Sequence, residues 1–217
     1  MQIRQRFAAG APLLRGRDAP PAWRSRSRLL PALLLAAAGL LAAQALWIPA
    51  KAALAQQLLE QAWQRSLTSA QPQRPWPWAD TAPVARLLRL STGESQIVLA
   101  GDSGRTLAFG PGWNEASAAP LSGGTALISA HRDTHFAWLR DIADSEEVEL
   151  QSTQGQRRYR LHSRRIVDVR QQGWVARPDR DALLLVTCWP FDAVDARGPL
   201  RLLLEFEAVA ATDQGRG

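Results

Sequence analysis

The side chains able to carry covalent chemistry are few: one cysteine, three histidines, and an arginine near the start of an apolar run. Cys188 closes the run LLLVTC and is followed by WPF. His131 closes TALISAH in the same manner. A thiol is a strong nucleophile as its thiolate, and an adjacent imidazole favours that form and can pass a proton to a leaving amine. Free cysteine also packs as a small hydrophobe, so the nucleophile reading needs support from the rest of the chain.

The other two histidines read differently. His162 lies in RRYRLHSRR, flanked by arginines, which is the pattern of a solvated strand face. His135 follows His131 by four residues, a spacing that suits a metal pair on a helix, but no acid or third histidine stands at a matching interval. No metal and no other cofactor is therefore expected. A cysteine nucleophile attacking a carbonyl also needs a group to hold the developing oxyanion. In PLRLLLEFEAV, Leu200, Leu202, Leu204 and Phe206 alternate onto one strand face, and Arg201 and Leu203 take the other. Arg197, in the turn DARGP, is the competing guanidinium; spacing leaves both open, with Arg201 ahead.

These residues must be held by strands. From Val84 the chain reads as short β-like runs parted by turn residues: 84–90, 95–101, 125–130, 146–152, 157–169, 182–187 and 199–209. HFAWLRDI (135–142) reads as a short helix, and residues 107–124 as a long loop rich in Gly and Pro. Many short strands with few helices predict a closed β-barrel or sandwich. Two runs that end at His131 and Cys188 would meet at one rim of such a barrel.

Upstream lies a different kind of chain. The net charge of +6 resides in residues 1–28, with seven arginines against Asp18; the other 19 Lys and Arg are matched by 19 Asp and Glu. A nucleic-acid-binding domain would carry the excess on its own surface, so that class is set aside. Leu29 to Trp47 carries Gln44 as its one strongly polar side chain and would span about 28 Å as a helix, close to a bilayer's hydrocarbon thickness. The arginines favour a cytoplasmic N-terminal side and Trp47 suits the far interface. A cleavable signal peptide is the rival, because Ala43, Gln44 and Ala45 have a small-x-small form. Either way the rest is exported, to a compartment where thiols are oxidised into disulfides; an unpaired Cys188 there reads as a reactive thiol.

The expected organisation is thus a basic cytoplasmic tail (1–28), a transmembrane anchor (29–47), a helical and Pro/Trp-rich linker (48–83), a catalytic domain (84–209) and a flexible tail (210–217). Within the linker, Leu54, Leu58, Leu59, Ala62 and Trp63 have amphipathic helical spacing. Four prolines then break it between Gln71 and Pro83, and Trp76 and Trp78 are expected to pack on the following domain.

SAHRDTHF with His131, LVTCWPF with Cys188, and Arg201 opening the last strand resemble the signature of the sortases, the cysteine transpeptidases of bacterial surfaces. The likeness covers about Val84 to Val209 and includes LAFGPGW (107–113), similar to the family's substrate-side loop. TCWPF is closest to the single-substrate sortases, and the anchor, connector and arginine tail resemble the Gram-negative class. The valine before TC departs from many members. No acidic cluster resembles the calcium site of some relatives, which implies no metal requirement.

The resemblance implies a mainly β fold, a closed sortase-like barrel with short helices, behind a transmembrane helix and an amphipathic linker helix. It implies that Cys188 attacks the Thr–Gly carbonyl of an LPxTG-like motif near the C terminus of an exported protein, its partner. Arg201 would bind substrate and oxyanion, His131 would protonate the departing amine, and an amine acceptor at the cell surface would release the thioacyl enzyme. Thr187 and Asp133 would support the site, Thr187 with a hydroxyl beside the substrate, and Trp189 would contact substrate. The enzyme would be a single-pass inner-membrane protein with its catalytic domain in the periplasm. Two rival classes are an L,D-transpeptidase, whose SHGC-type motif with glycine before the cysteine does not match Thr187-Cys188-Trp189, and a non-catalytic tethered β-domain with a structural cysteine.

Overall fold

The computed structural model describes residues 23–171, 179–195 and 198–210, so Arg197 lies outside the described residues. The chain divides into two compact units, residues 1–49 and 50–217. Helix α1 runs Trp23–Ser69 and takes both Pro31 and Pro49 into its interior. Within the first unit, Leu29–Ile48 is exposed along its whole length, an apolar stretch long enough to cross a membrane. The second unit begins with residues 50–69 of α1, followed by eight strands.

The strands are β1 (Pro83–Arg89), β2 (Ser95–Ala100), β3 (Gly112–Trp113), β4 (Thr125–Ser129), β5 (Glu147–Ser152), β6 (Gly155–Asp168), β7 (Ala182–Cys188) and β8 (Leu200–Ala208). They close into a barrel in the order β1-β2-β3-β4-β7-β8-β6-β5. Two neighbours are parallel, β2 with β3 and β4 with β7, and the remaining pairs are antiparallel. All seven runs read from the sequence become strands, within a few residues at their ends. The short helix is a 3-10 turn, Ala137–Asp141.

One strand was not anticipated. β3 is two residues long and sits inside the loop expected to be irregular. Glycine makes it possible: a Cβ on Gly112 would lie 2.4 Å from the Gly101 carbonyl oxygen, and one on Gly110 would lie 2.9 Å from the Ile97 oxygen. Only a bare backbone comes that close to β2. By bridging β2 and β4, β3 closes the wall that carries the His131 strand.

Alternation sorts the side chains into two apolar clusters. Ala126, Ile128, Leu183, Leu185, Leu202, Leu204 and Phe206 fill the barrel interior with Tyr159, Phe136 and Leu150. Leu127, Leu184, Val186 and Leu203 point the other way and form a smaller cluster on the outer face of β4, β7 and β8. Full burial of each such side chain contributes about 1.5–3 kcal/mol. Both faces of β7 are therefore apolar, which is why its sequence reads as an unbroken hydrophobic run rather than an alternation.

Leu59, Ala62 and Trp63 of α1 are fully buried, and Leu59 and Trp63 cluster with Ile97 and Leu99 of β2. The expected packing of the tryptophan pair holds for one member only. Trp76 meets Phe109 edge-on at 5.3 Å, whereas Trp78 is 83% exposed and packs on no core.

Candidate active site

Cys188 and Arg201 are Cα partners in the antiparallel β7–β8 register. The Trp189 N–H donates to the Leu200 carbonyl at 3.0 Å, so 188/201 is a non-hydrogen-bonded pair. In such pairs Cα atoms approach to about 4.5 Å and side chains share a face. That face is the outer one, since Cys188 continues the series Leu184, Val186 and Arg201 the series Leu203.

On the other side of β7, the parallel register with β4 pairs Ser129 with Val186. The Ala130 N–H still donates to the Val186 carbonyl at 3.1 Å. β4 ends at Ser129, and His131 stands two residues past it, at the end of the strand that neighbours β7. Cys188 and Arg201 are register partners on β7 and β8, and His131 follows the strand on the other side of β7. His131 is exposed, and Cys188 and Arg201 are half-buried.

The guanidinium of Arg201 is held by backbone. Its Nη1 donates to the Gly198 carbonyl at 2.6 Å and the Leu200 carbonyl at 2.8 Å. Among the described residues no carboxylate pairs with it.

The remaining candidates are placed differently. Thr187 is 2% exposed and faces the barrel interior, and its hydroxyl donates to the Ala130 carbonyl at 2.8 Å. This hydroxyl does not lie beside a substrate on the outer face. It ties the end of β4 to β7, holding the backbone on which His131 and Cys188 stand. Trp189 packs against the interior cluster and meets Phe191 edge-on at 5.8 Å. Asp133 is exposed, 3.4 Å from Nε of Arg132.

Arg132 was not singled out from the sequence. It is 5% exposed, and its Nη1 and Nη2 donate to the carbonyls of Pro190 and Ala193, each at 2.5 Å. The residue after His131 therefore grips the turn after Cys188. Its signal in the sequence is faint, an arginine between a histidine and an aspartate, because the carbonyls it binds lie 58 and 61 positions away.

Of the other histidines, His162 is exposed beside the Glu207 carboxylate at 3.4 Å, as its flanking arginines suggested. His135 is half-buried, and burial first, then the charge of His131, holds its imidazole below the ordinary histidine pKa. Among the described residues, no three His, Cys, Asp or Glu side chains gather within reach of one metal ion.

Comparisons with known proteins place the fold in a family. The family model for the sortase domain matches residues 90–207. Among solved structures, a lid mutant of Streptococcus agalactiae sortase C1 is 17% identical, with a TM-score of 0.54 over 61% of this chain and 72% of that one. Sortase A from Corynebacterium diphtheriae is 23% identical, with a TM-score of 0.53 over 61% of this chain and 63% of that one. Sortase C-1 from Actinomyces oris is 25% identical, with a TM-score of 0.50 over 59% and 75%. A search of curated proteins finds no match. The structural likenesses speak for the fold, and the family model spans more than half of the 217 residues: the chain belongs to the sortase family.

Proposed function

We propose that this sortase is a membrane-anchored transpeptidase that cuts an LPxTG-like motif near the C terminus of an exported protein and transfers the new acyl end to an amine. The observation that carries the reading is the register pairing of Cys188 with Arg201 on β7 and β8, with His131 just past the end of the neighbouring strand β4. The Cys188 thiolate attacks the carbonyl carbon of the Thr–Gly bond, and the carbonyl electrons move onto oxygen. The Arg201 guanidinium, fixed by the Gly198 and Leu200 carbonyls, lies one residue pair from the thiol and stabilises that oxyanion. As the C–N bond breaks, His131 gives its proton to the departing glycine amine, leaving a thioester on Cys188. An incoming amine attacks the thioester, gives a proton back to His131, and restores the thiolate. Water does the same slowly and yields the free acid.

Arg132 keeps the Trp189–Ala193 turn in place during these steps, and the Thr187 hydroxyl keeps β4 level with β7. Asp133 and Trp189 follow His131 and Cys188 in the chain and serve as substrate contacts from their exposed edges. Leu29–Trp47 holds the enzyme in the inner membrane with residues 48–217 in the periplasm. The SHGC pattern of L,D-transpeptidases is absent, and family membership favours the sortase chemistry. A tethered β-domain with an inert cysteine remains the alternative that experiment must separate.

The test is a ligation assay. Full-length enzyme, a Leu-Pro-x-Thr-Gly peptide series and a glycyl amine acceptor should give a peptide joined through threonine to the acceptor. Cys188→Ala should give neither ligation nor hydrolysis. Equal turnover by Cys188→Ala would overturn the assignment.

A further inference from the structure

The apolar face of residues 50–69 of α1 is only partly covered by the barrel. Leu59, Ala62 and Trp63 are buried. Leu54, Ala55 and Leu58, nearer the start of this segment, line an open cleft of about 620 Å³ with Trp76, Trp78 and Phe109. Leu54 remains 55% exposed and Trp78 83% exposed. The edge-on contact of Trp76 with Phe109 builds one wall, and Lys51 is among the lining residues.

The position of this cleft in the chain says what covers it. Lys51 and Leu54 follow Ile48, the end of the exposed apolar helix, by three and six residues. Even fully extended, six residues span about 20 Å. A chain anchored through Leu29–Trp47 therefore keeps Lys51 and Leu54, which line the cleft, within about 20 Å of the anchor's end. Tryptophan with an apolar body and a polar N–H is suited to the headgroup layer, and a lysine in the same lining suits lipid phosphates.

We propose that this cleft is a membrane-docking surface. Leu54, Leu58 and Trp78 enter the headgroup–acyl boundary, and Lys51 lies among the phosphates. Docking gives the catalytic unit a second point of attachment, so that it rests against the membrane rather than swivelling on one helix. The inference rests on the anchor reading, and its test reports on the two separately.

The full-length protein is reconstituted in phosphatidylcholine–phosphatidylglycerol vesicles, with or without bromines on the upper acyl chain. Trp78→Phe, an exposed position, leaves folding and catalysis intact, and the difference between its emission and that of the wild type isolates Trp78. The expected result is a blue-shifted Trp78 quenched about twofold or more by brominated lipid, as for an indole at headgroup depth. Leu54→Glu should abolish that quenching. A Trp78 that emits as in water and ignores the bromines overturns the proposal, as does one shielded from both bromines and aqueous acrylamide by a second copy of the chain. Alkaline carbonate extraction reports on the anchor alone: release of the protein, or a mature chain starting at Leu46, sinks the anchor whatever Trp78 does.

Discussion

Cys188 and Arg201 face each other across the β7–β8 ladder as a non-hydrogen-bonded pair on the outer face of the barrel. Backbone register fixes the two residues opposite each other, and the Gly198 and Leu200 carbonyls hold the guanidinium. Arg201→Lys keeps the charge but loses the planar donor fork. Its kcat should fall by about 10²–10³, the size of one lost oxyanion donor. Arg197→Lys, outside the described residues, should change the rate far less. Steady-state kinetics on a sorting-motif peptide decide it, and the reverse order would assign the oxyanion role to Arg197.

Arg132 ties the two halves of the site without touching substrate. Arg132→Met removes both charge-assisted hydrogen bonds to Pro190 and Ala193, each worth about 1.5–3 kcal/mol. Arg132→Lys retains the charge but cannot hold two carbonyls in a fork. Freed movement of the turn by about 1 Å should cost on the order of 10²-fold in kcat. Arg132→Lys should therefore lose activity while small-reagent alkylation of Cys188 stays near the wild-type rate. A folded Arg132→Lys enzyme with normal kcat would show that the clamp is dispensable.

Gly112→Ala tests how the His131 strand is supported. The new Cβ would meet the Gly101 carbonyl oxygen at 2.4 Å, and β2 and β3 would have to separate. Overpacking of this kind costs about 1–3 kcal/mol. At about 2–4 °C per kcal/mol for a unit of this size, the thermal midpoint should fall by roughly 2–12 °C. An unchanged midpoint would mean that β3 is not a structural bridge.

His135 gives the fold a pH dependence of known sign. Its folded-state pKa lies below the ordinary 6.5, through burial and then the charge of His131. The unfolded chain therefore binds this proton more readily. The stabilisation is complete above the ordinary histidine pKa and is lost as pH falls through it towards the folded value. His135→Gln should flatten the decline of the thermal midpoint between about pH 7.5 and 5. Identical slopes in the two proteins would remove His135 from the account.

The strands that position the site were legible because their burial follows the two-residue period, as in β8, where Leu202, Leu204 and Phe206 go inward and Arg201 and Leu203 outward. That the strand leading to His131 lies beside the strand ending at Cys188 needed one fact that periodicity lacks, the parallel adjacency of β4 and β7. Thr187 shows parity overlooked: it continues Leu183 and Leu185, so its hydroxyl faces the interior. β3 was hidden because two residues have no period, and its strand character comes from the close approach to Gly101. Arg132 was hidden because its burial is made entirely by a distant turn. Trp78 was misjudged because an exposed indole looks the same in sequence as a packed one.

The central claim is that Cys188 forms the acyl bond with a sorting motif. Full-length enzyme mixed with a Leu-Pro-x-Thr-Gly peptide, without amine acceptor, and quenched in acid within the first turnover gives a direct reading by intact-mass spectrometry. The account expects one adduct, equal to the peptide cut after threonine, on the tryptic fragment that contains Cys188, and its loss on adding hydroxylamine. A cut peptide with no adduct on Cys188, or an adduct that survives in Cys188→Ala, would contradict it.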